Sequence, residues 1–236
     1  MYSIDSHGHL QVLVWNLHKQ TGRDWRNELS QYSLHSQIVL LQEVKLTMAF
    51  KRYIKEAHWH ANHVDAFTIF NNSAGVLSAG KSPVESVSGY RIPEPVFRLP
   101  KSSSIARYQL SNGQILTAVN VHLINFTLGM KAYRKQMSTL ITDLRDDNGP
   151  MIFAGDFNTW SRKRQEMIAL MMMDLGLSEV TYANDMRRHF LNRLPLDHVY
   201  YRGLDLKKAE VLTTTASDHN PIRVTFHIDN HFRSLH

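Results

Sequence analysis

The sequence predicts an α/β domain of mixed topology, with two β-sheets packed face to face and helices outside. Three observations carry this expectation. Short β-rich apolar runs alternate with segments of helical spacing in the first and last thirds of the chain. The middle instead holds a tight-turn signal, Ser111-Asn112-Gly113, between two apolar runs, and hairpins mixed with βα units argue against a purely parallel sheet. The 236 residues, 43% hydrophobic and 20% charged, supply one sizeable core, and no linker, repeat or low-complexity tract interrupts them. A single domain over residues 1–236 is therefore expected.

In chain order, Leu10 to Trp15 is a strand that delivers Asn16 to its C-terminal end. A helix near Asp24 to Tyr32 precedes a second strand, Gln37 to Gln42, which delivers Glu43. A helix from about Thr47 to Ala57 follows, then β-rich segments at Val64 to Phe70, Gly75 to Ser78 and Pro83 to Val87. Ser104 to Leu110 and Ile115 to His122 form the hairpin, since Asn-Gly supplies the positive φ angles its turn needs. Apolar residues at Met130, Tyr133, Met137, Leu140, Ile141 and Leu144 give helical spacing over Thr127 to Asp146, stopped by Asn148-Gly149-Pro150. The strand Pro150 to Ala154 runs into Gly155-Asp156-Phe157-Asn158, and a helix from about Ser161 to Leu175 follows, with Gly176 beyond its end. Its Met171-Met172-Met173 run reads as adaptable core filling. Strands at Leu196 to Tyr201, Ala209 to Thr213 and Ile222 to His227 complete the chain.

Composition bounds the function before any motif does. With no cysteine there is neither a disulfide frame nor a thiolate metal site, so a metal would be held by oxygen or imidazole. A net charge of +6 and a pI near 9.5 favour a polyanionic partner, nucleic acid or an acidic lipid surface, over a basic solvated face without function. Met1 to Leu10 lacks an apolar signal core, and no run approaches the ~20 apolar residues of a spanning helix, so a soluble cytoplasmic protein, monomeric by default, is expected. The 14 histidines are scattered, which argues against a histidine-rich metal store.

The chemistry is suggested by what the strand ends carry. Asp156 and Asn158, two residues apart, project to one side of the backbone, where they suit a metal or a phosphate as well as a strand-ending turn. Asn16, Glu43, His122, Asp197 with His198, and Asp218 with His219 stand at other strand ends. Each alone has an ordinary reading as a turn, a strand terminus or a half-buried histidine. Together they do not, because open α/β sheets gather ligands at the carboxyl ends of their strands.

These residues occur in motifs, in order: Trp15-Asn16, Leu41-Gln42-Glu43, Val119-Asn120-Val121-His122, Gly155-Asp156-Phe157-Asn158, Leu196-Asp197-His198 and Ser217-Asp218-His219-Asn220-Pro221. The series resembles that of the endonuclease/exonuclease/phosphatase superfamily, which includes DNase I-like nucleases, abasic-site endonucleases, neutral sphingomyelinases and inositol-polyphosphate 5-phosphatases, and it covers a core from about 10 to 228. Val14 to Lys19, Asn125 to Gly129 and Ala216 to Pro221 further resemble the bacterial YafD-like branch, which adds nothing about substrate. The resemblance implies a four-layered, DNase I-like α/β sandwich with its site at one end of the two sheets. It implies Glu43 as the principal metal carboxylate, with Asn16 beside it and Asp218 completing the site, and Mg²⁺ or Mn²⁺ as the metal. It also implies His219 as the general base, oriented by Asp197; His122 as a phosphate ligand and proton donor to the leaving oxygen; and Asp156 and Asn158 as positioners of water and phosphate. Lys101, near Arg98 and Arg107, corresponds to a basic phosphate clamp. One departure stands out: His18 occupies a position where abasic-site endonucleases commonly have a carboxylate. His198 is expected to face away from the site by strand alternation.

The function implied is that of a metal-dependent phosphoesterase, first of all a phosphodiesterase or nuclease acting on nucleic acid. Support for nucleic acid comes from the basic group Arg162, Lys163 and Arg164 after Trp160, at a helix N-terminus where cations are otherwise unfavourable. The alternatives are a hydrolase of phospholipid headgroups or small phosphate esters and, third, a non-catalytic binding module.

Overall fold

The computed structural model describes residues 2–69, 71–95, 99–127, 129–190 and 194–229. The first of two six-stranded sheets runs β13-β14-β1-β2-β4-β3, formed by β1 (His9–Asn16), β2 (Ile38–Lys45), β3 (His60–Ile69), β4 (Asn72–Gly80), β13 (Asp205–Val211) and β14 (Ile222–His227). The second runs β5-β6-β7-β8-β12-β9, from β5 (Ser86–Ile92), β6 (Lys101–Gln109), β7 (Ile115–His122), β8 (Met151–Asp156), β9 (Ser178–Glu179) and β12 (Asp197–Arg202). A small ribbon pairs β10 (His189–Phe190) with β11 (Leu194–Pro195). β1 pairs parallel with β2, and β7 with β8; the other pairings are antiparallel, giving the mixed topology expected of interleaved hairpins and βα units.

Three apolar clusters stack these sheets into four layers. Leu10, Val12, Val14, Ile38 and Leu40 of the first sheet meet Tyr108, Leu116, Ala118, Ile152 and Val199 of the second between the sheets. Leu13, Trp15, Val39 and Leu41 face outward against α1 (Trp25–Tyr32) and α2 (Met48–Glu56). Val119, Val121 and Phe153 do the same against α3 (Lys131–Leu144) and α4 (Arg162–Asp174). Central strands buried on both faces explain why their sequences are nearly continuous apolar runs. The arrangement is the DNase I-like α/β sandwich.

The element boundaries differ from expectation where side-chain patterning is weak. β3, β4 and β5 are longer than the segments expected over 64–87, because β3 opens with His60-Ala61-Asn62-His63 and β5 is largely exposed, so neither shows alternating hydrophobicity. Phe70, expected to end that strand, lies outside the described residues. α3 begins at Lys131 rather than Thr127, after Gly129 has turned the chain at φ +75°. Of the methionine run, Met172 is buried while Met173 is 64% exposed, so core filling applies to part of it.

Candidate active site

β7, β8 and β12 lie side by side in a register that makes His122, Asp156 and Asp197 neighbours in one row. Gly155 makes that row possible. Its φ is +137°, and a Cβ there would lie 2.1 Å from the Val121 carbonyl oxygen of β7, so only glycine lets the two strands approach. Asp156 then turns the chain: its Oδ1 accepts the Asn158 amide at 3.0 Å, and Asn158 adopts φ +50° and donates its side-chain amide to Leu123 O at 2.8 Å. Gly-Asp-Phe-Asn is thus both the strand-ending turn and the floor of the site.

The first sheet contributes from the opposite side. Asn16, at the end of β1, donates to Asp156 Oδ2 at 2.9 Å and bridges the sheets. Glu43 sits where the β2–β4 register shifts, at φ +51°, with Gln42 turned inward to donate to Asn120 Oδ1 at 2.7 Å. His219 belongs to the loop before β14, held because Trp15 Nε1 donates to its carbonyl at 2.8 Å and Ser217 Oγ donates to Asn16 O at 2.6 Å.

The charges form two groups that share Asp156. In one, His219 Nδ1 lies 2.7 Å from Asp197 Oδ2, and its Nε2 lies 4.0 Å from Asp156 Oδ2. Burial by itself favours the neutral ring, but Asp197, Asp156 and Asp218 outweigh it and raise the His219 pKa to about 10. In the other, His122 Nε2 lies 3.5 Å from Asp156 Oδ2 and 3.7 Å from Glu43 Oε1, and it accepts from Lys101 Nζ at 2.7 Å. Burial and the Lys101 ammonium lower the His122 pKa to about 4, so the ring is neutral at neutral pH. Glu43 is held below the ordinary carboxylate range despite desolvation; with His122 neutral, Lys101 at 3.8 Å and Lys19 at 2.6 Å are the cations that keep it ionised. Burial raises the Asp156 pKa, opposed by the two histidines.

Most of the expected site residues therefore converge: Asn16, Glu43, Lys101, His122, Asp156, Asn158, Asp197 and His219. One expectation does not survive. Arg164 is 1% exposed, its guanidinium stacked on Tyr133 and Trp160 and donating to the carbonyls of Ile124, Asn125 and Asn158, so it is a structural clamp under the site and is closed to nucleic acid. Arg162 and Lys163 beside it are exposed. Asp218 is 46% exposed on its side chain and faces His18 at 3.6 Å; the carboxylates that cluster with His219 among the described residues are Asp156 and Asp197. Arg98 lies outside the described residues, and Arg107 sits at the far end of β6 beside Asp147. His198 is fully buried behind the site, against Thr159 Oγ1 at 2.7 Å and Glu179 Oε1 at 2.6 Å, as alternation requires.

Two residues beside the site were not expected there, although Arg187 with Arg188 reads in the sequence as basic support for a nucleic-acid partner and is instead only 9% exposed. Lys19 reaches Glu43 from a turn, His18–Gln20, whose three residues all have φ between 44° and 56°. Arg187 donates to the Asp197 carbonyl at 3.0 Å and pairs with Glu179 and Asp185, supporting the strand that carries Asp197. Neither carried a signal beyond a positive charge in a polar stretch.

The donor set suits a hard divalent cation. Glu43 is a half-buried carboxylate that already draws positive charge to both oxygens, Asp156 adds a second carboxylate, Asn16 keeps one lone pair of the Oδ1 that accepts the His18 amide at 3.0 Å, and the sequence holds no thiolate.

The model of the Endonuclease/Exonuclease/phosphatase family matches residues 13–219, which spans every site residue from Asn16 to His219. A UPF0294 protein of Vibrio campbellii is 45% identical over 228 residues, covering 96% of this chain and 80% of its own length. The human Nocturnin catalytic domain, solved with a bound sulfate anion, superposes with a TM-score of 0.73 at 16% identity, covering 95% of this chain and 96% of that one. An endonuclease/exonuclease/phosphatase from Bacteroides vulgatus superposes with a TM-score of 0.72 at 18% identity, covering 94% and 99%.

Proposed function

The chain belongs to the endonuclease/exonuclease/phosphatase family, and on that premise we propose that it is a divalent-metal-dependent phosphodiesterase that hydrolyses a P–O bond with water activated at His219. The observation that carries this reading is the shared carboxylate: Asp156 Oδ2 lies between His219 Nε2 at 4.0 Å and His122 Nε2 at 3.5 Å. A histidine backed by Asp197 thus stands on one side of a phosphate-sized centre, with Lys101 and Glu43 on the other.

Glu43 and Asn16, with Asp156, would hold Mg²⁺ or Mn²⁺. Bound there, the cation supplies positive charge that polarises the phosphate and offsets the carboxylates which otherwise keep His219 protonated. Asp197 fixes the His219 ring through Nδ1, leaving Nε2 to take the proton from water. Asn158 and Asp156 orient the water and the phosphate oxygens. Because His122 accepts from Lys101, the ammonium of Lys101 is the better proton donor to the leaving oxygen, and His122 holds that ammonium in place.

Nucleic acid is the first substrate class, supported by the net charge of +6 and by exposed Arg162 and Lys163. A small phosphate ester is the second, supported by a partly enclosed cavity beside His122 and by the loss of Arg164 from the basic face. The test is Mg²⁺-dependent cleavage of plasmid DNA and bis-p-nitrophenyl phosphate. EDTA should abolish both activities, and His219→Ala should lower kcat by ~10²–10⁴. Activity that survives EDTA would overturn the metal mechanism, and an unchanged rate in the variant would remove the role of His219.

A further inference from the structure

A cavity of about 70 Å³ adjoins the centre described above, with Lys19, Glu43, Lys101 and His122 along its polar floor, while Asp156, Asp197 and His219 do not line it. The opposite wall is apolar: Ala66, Phe67, Ala74, Leu99 and Pro100. Glu94, the remaining acid at its margin, is 3% exposed and accepts the amides of Asn125 and Phe126 on its Oε1, which fixes it in the wall. The apolar wall is built into the fold. β3 bulges between Asp65 and Phe67, and Gly75 packs so closely under Val64 that a Cβ would lie 2.0 Å from its carbonyl oxygen.

Phosphoryl transfer proceeds with the attacking and leaving oxygens roughly in line through phosphorus. His219 and Asp197 stand on the far side of Asp156 from His122, Lys101 and Glu43. Water entering at His219 therefore expels its leaving group toward the cavity floor. Resting on the function proposed above, we infer that this cavity seats the leaving alcohol, and that the alcohol carries a compact, uncharged, apolar body next to its ester oxygen. A volume of about 70 Å³ holds roughly five water-sized positions, which matches one ring or a short branched chain and favours the small phosphate ester of the two substrate classes above. In the step itself the water oxygen bonds to phosphorus and the P–O bond to the alcohol breaks, its electron pair staying on the alcohol oxygen. One water proton passes to His219 Nε2, the alcohol oxygen takes a proton from Lys101 Nζ, and both side chains return to their starting states by exchange with solvent.

The experiment uses the full chain with Mg²⁺ and three diesters: methyl 4-nitrophenyl phosphate, methyl 4-methylumbelliferyl phosphate and phenyl 4-nitrophenyl phosphate. The first pair differs in leaving group, one ring against two, and the third changes only the group that stays. The one-ring leaving group should be favoured in kcat/KM by about tenfold or more, in the range that a few atoms too many cost in a shaped pocket. Leu99→Ala, at the exposed rim, should cut that preference to about threefold, and Ala74→Leu should lower kcat/KM for the one-ring ester by about tenfold. A binding measurement independent of turnover accompanies these: the ¹³C-methyl resonances of Ala66 and Ala74 should shift on adding phenylphosphonate and stay in place with methylphosphonate. The inference is overturned if both variants leave the preference unchanged, if they respond instead to the group that stays, or if phenylphosphonate moves neither methyl. Binding at Ala66 and Ala74 with no hydrolysis of any diester would refute the hydrolase reading, and with it the role given to the leaving alcohol.

Discussion

Replacing Gly155 by alanine tests the geometry on which the site rests. The added Cβ would meet the Val121 carbonyl oxygen at 2.1 Å, more than 1 Å inside ordinary contact, and that oxygen belongs to the backbone of β7 and cannot swing away. The backbone angle adds to the cost, because φ +137° is a conformation that L side chains rarely adopt, at ~1–3 kcal/mol. Overpacking against a rigid neighbour contributes a further ~1–3 kcal/mol, so a total loss of ~2–6 kcal/mol is expected. In a domain of this size that lowers Tm by roughly 4–24 °C. The measurement is urea unfolding followed by circular dichroism, with the m-value checked for a change of folded-state compactness. β7 and β8 carry His122 and Asp156 in register, so relief by strand separation should also reduce activity in the surviving folded fraction. A loss below ~1 kcal/mol with full activity would refute the claim that close strand approach dictates this glycine.

Further outcomes follow from the charges. Asp197→Asn should reduce kcat by ~10²–10⁴ and bring the His219 midpoint down from about 10, read from ring ¹⁵N shifts across pH; an unmoved midpoint would show that Asp197 is not what holds the proton. Arg164→Ala should destabilise by ~3 kcal/mol or more by leaving buried carbonyls unpaired, whereas Arg162→Ala with Lys163→Ala should leave unfolding unchanged and weaken DNA retention at low salt; the reverse pattern would restore Arg164 to the surface role. Partial desolvation pushes the pKa of the exposed Glu179 up, but His198 and Arg187 outweigh it and lower the value below its ordinary 4.5. Its contribution to stability is therefore complete above about pH 4.5 and disappears as pH falls through the lower folded value, so Glu179→Gln should flatten the acid limb of a stability–pH curve.

Among the described residues, no helix is long and apolar enough to cross a membrane. The gap between sequence and structure is clearest in the basic triplet. Arg162, Lys163 and Arg164 are equivalent as a charge run, yet helical rotation turns the third inward, where Tyr133, Trp160 and three carbonyls enclose it. Lys19 shows the converse. Nothing in its spacing marks it as a partner of Glu43, and the left-handed turn alone carries its ammonium there. His122 was legible as a phosphate-side histidine, but its neutrality depends on burial and on Lys101, which stands 21 residues away in sequence and 2.7 Å away in space.

The sequence by itself determined the alternation of strands and helices, the two-sheet architecture and the polar residues at the strand ends. Those follow from local periodicity, turn chemistry and motifs that lie within a few residues of one another. Only the tertiary structure decided which charges face each other, which arginine is buried, and that a cavity opens beside Glu43, Lys101 and His122. Those properties depend on register across β7, β8 and β12 and on the distance between two sheets, quantities that no single stretch of chain contains.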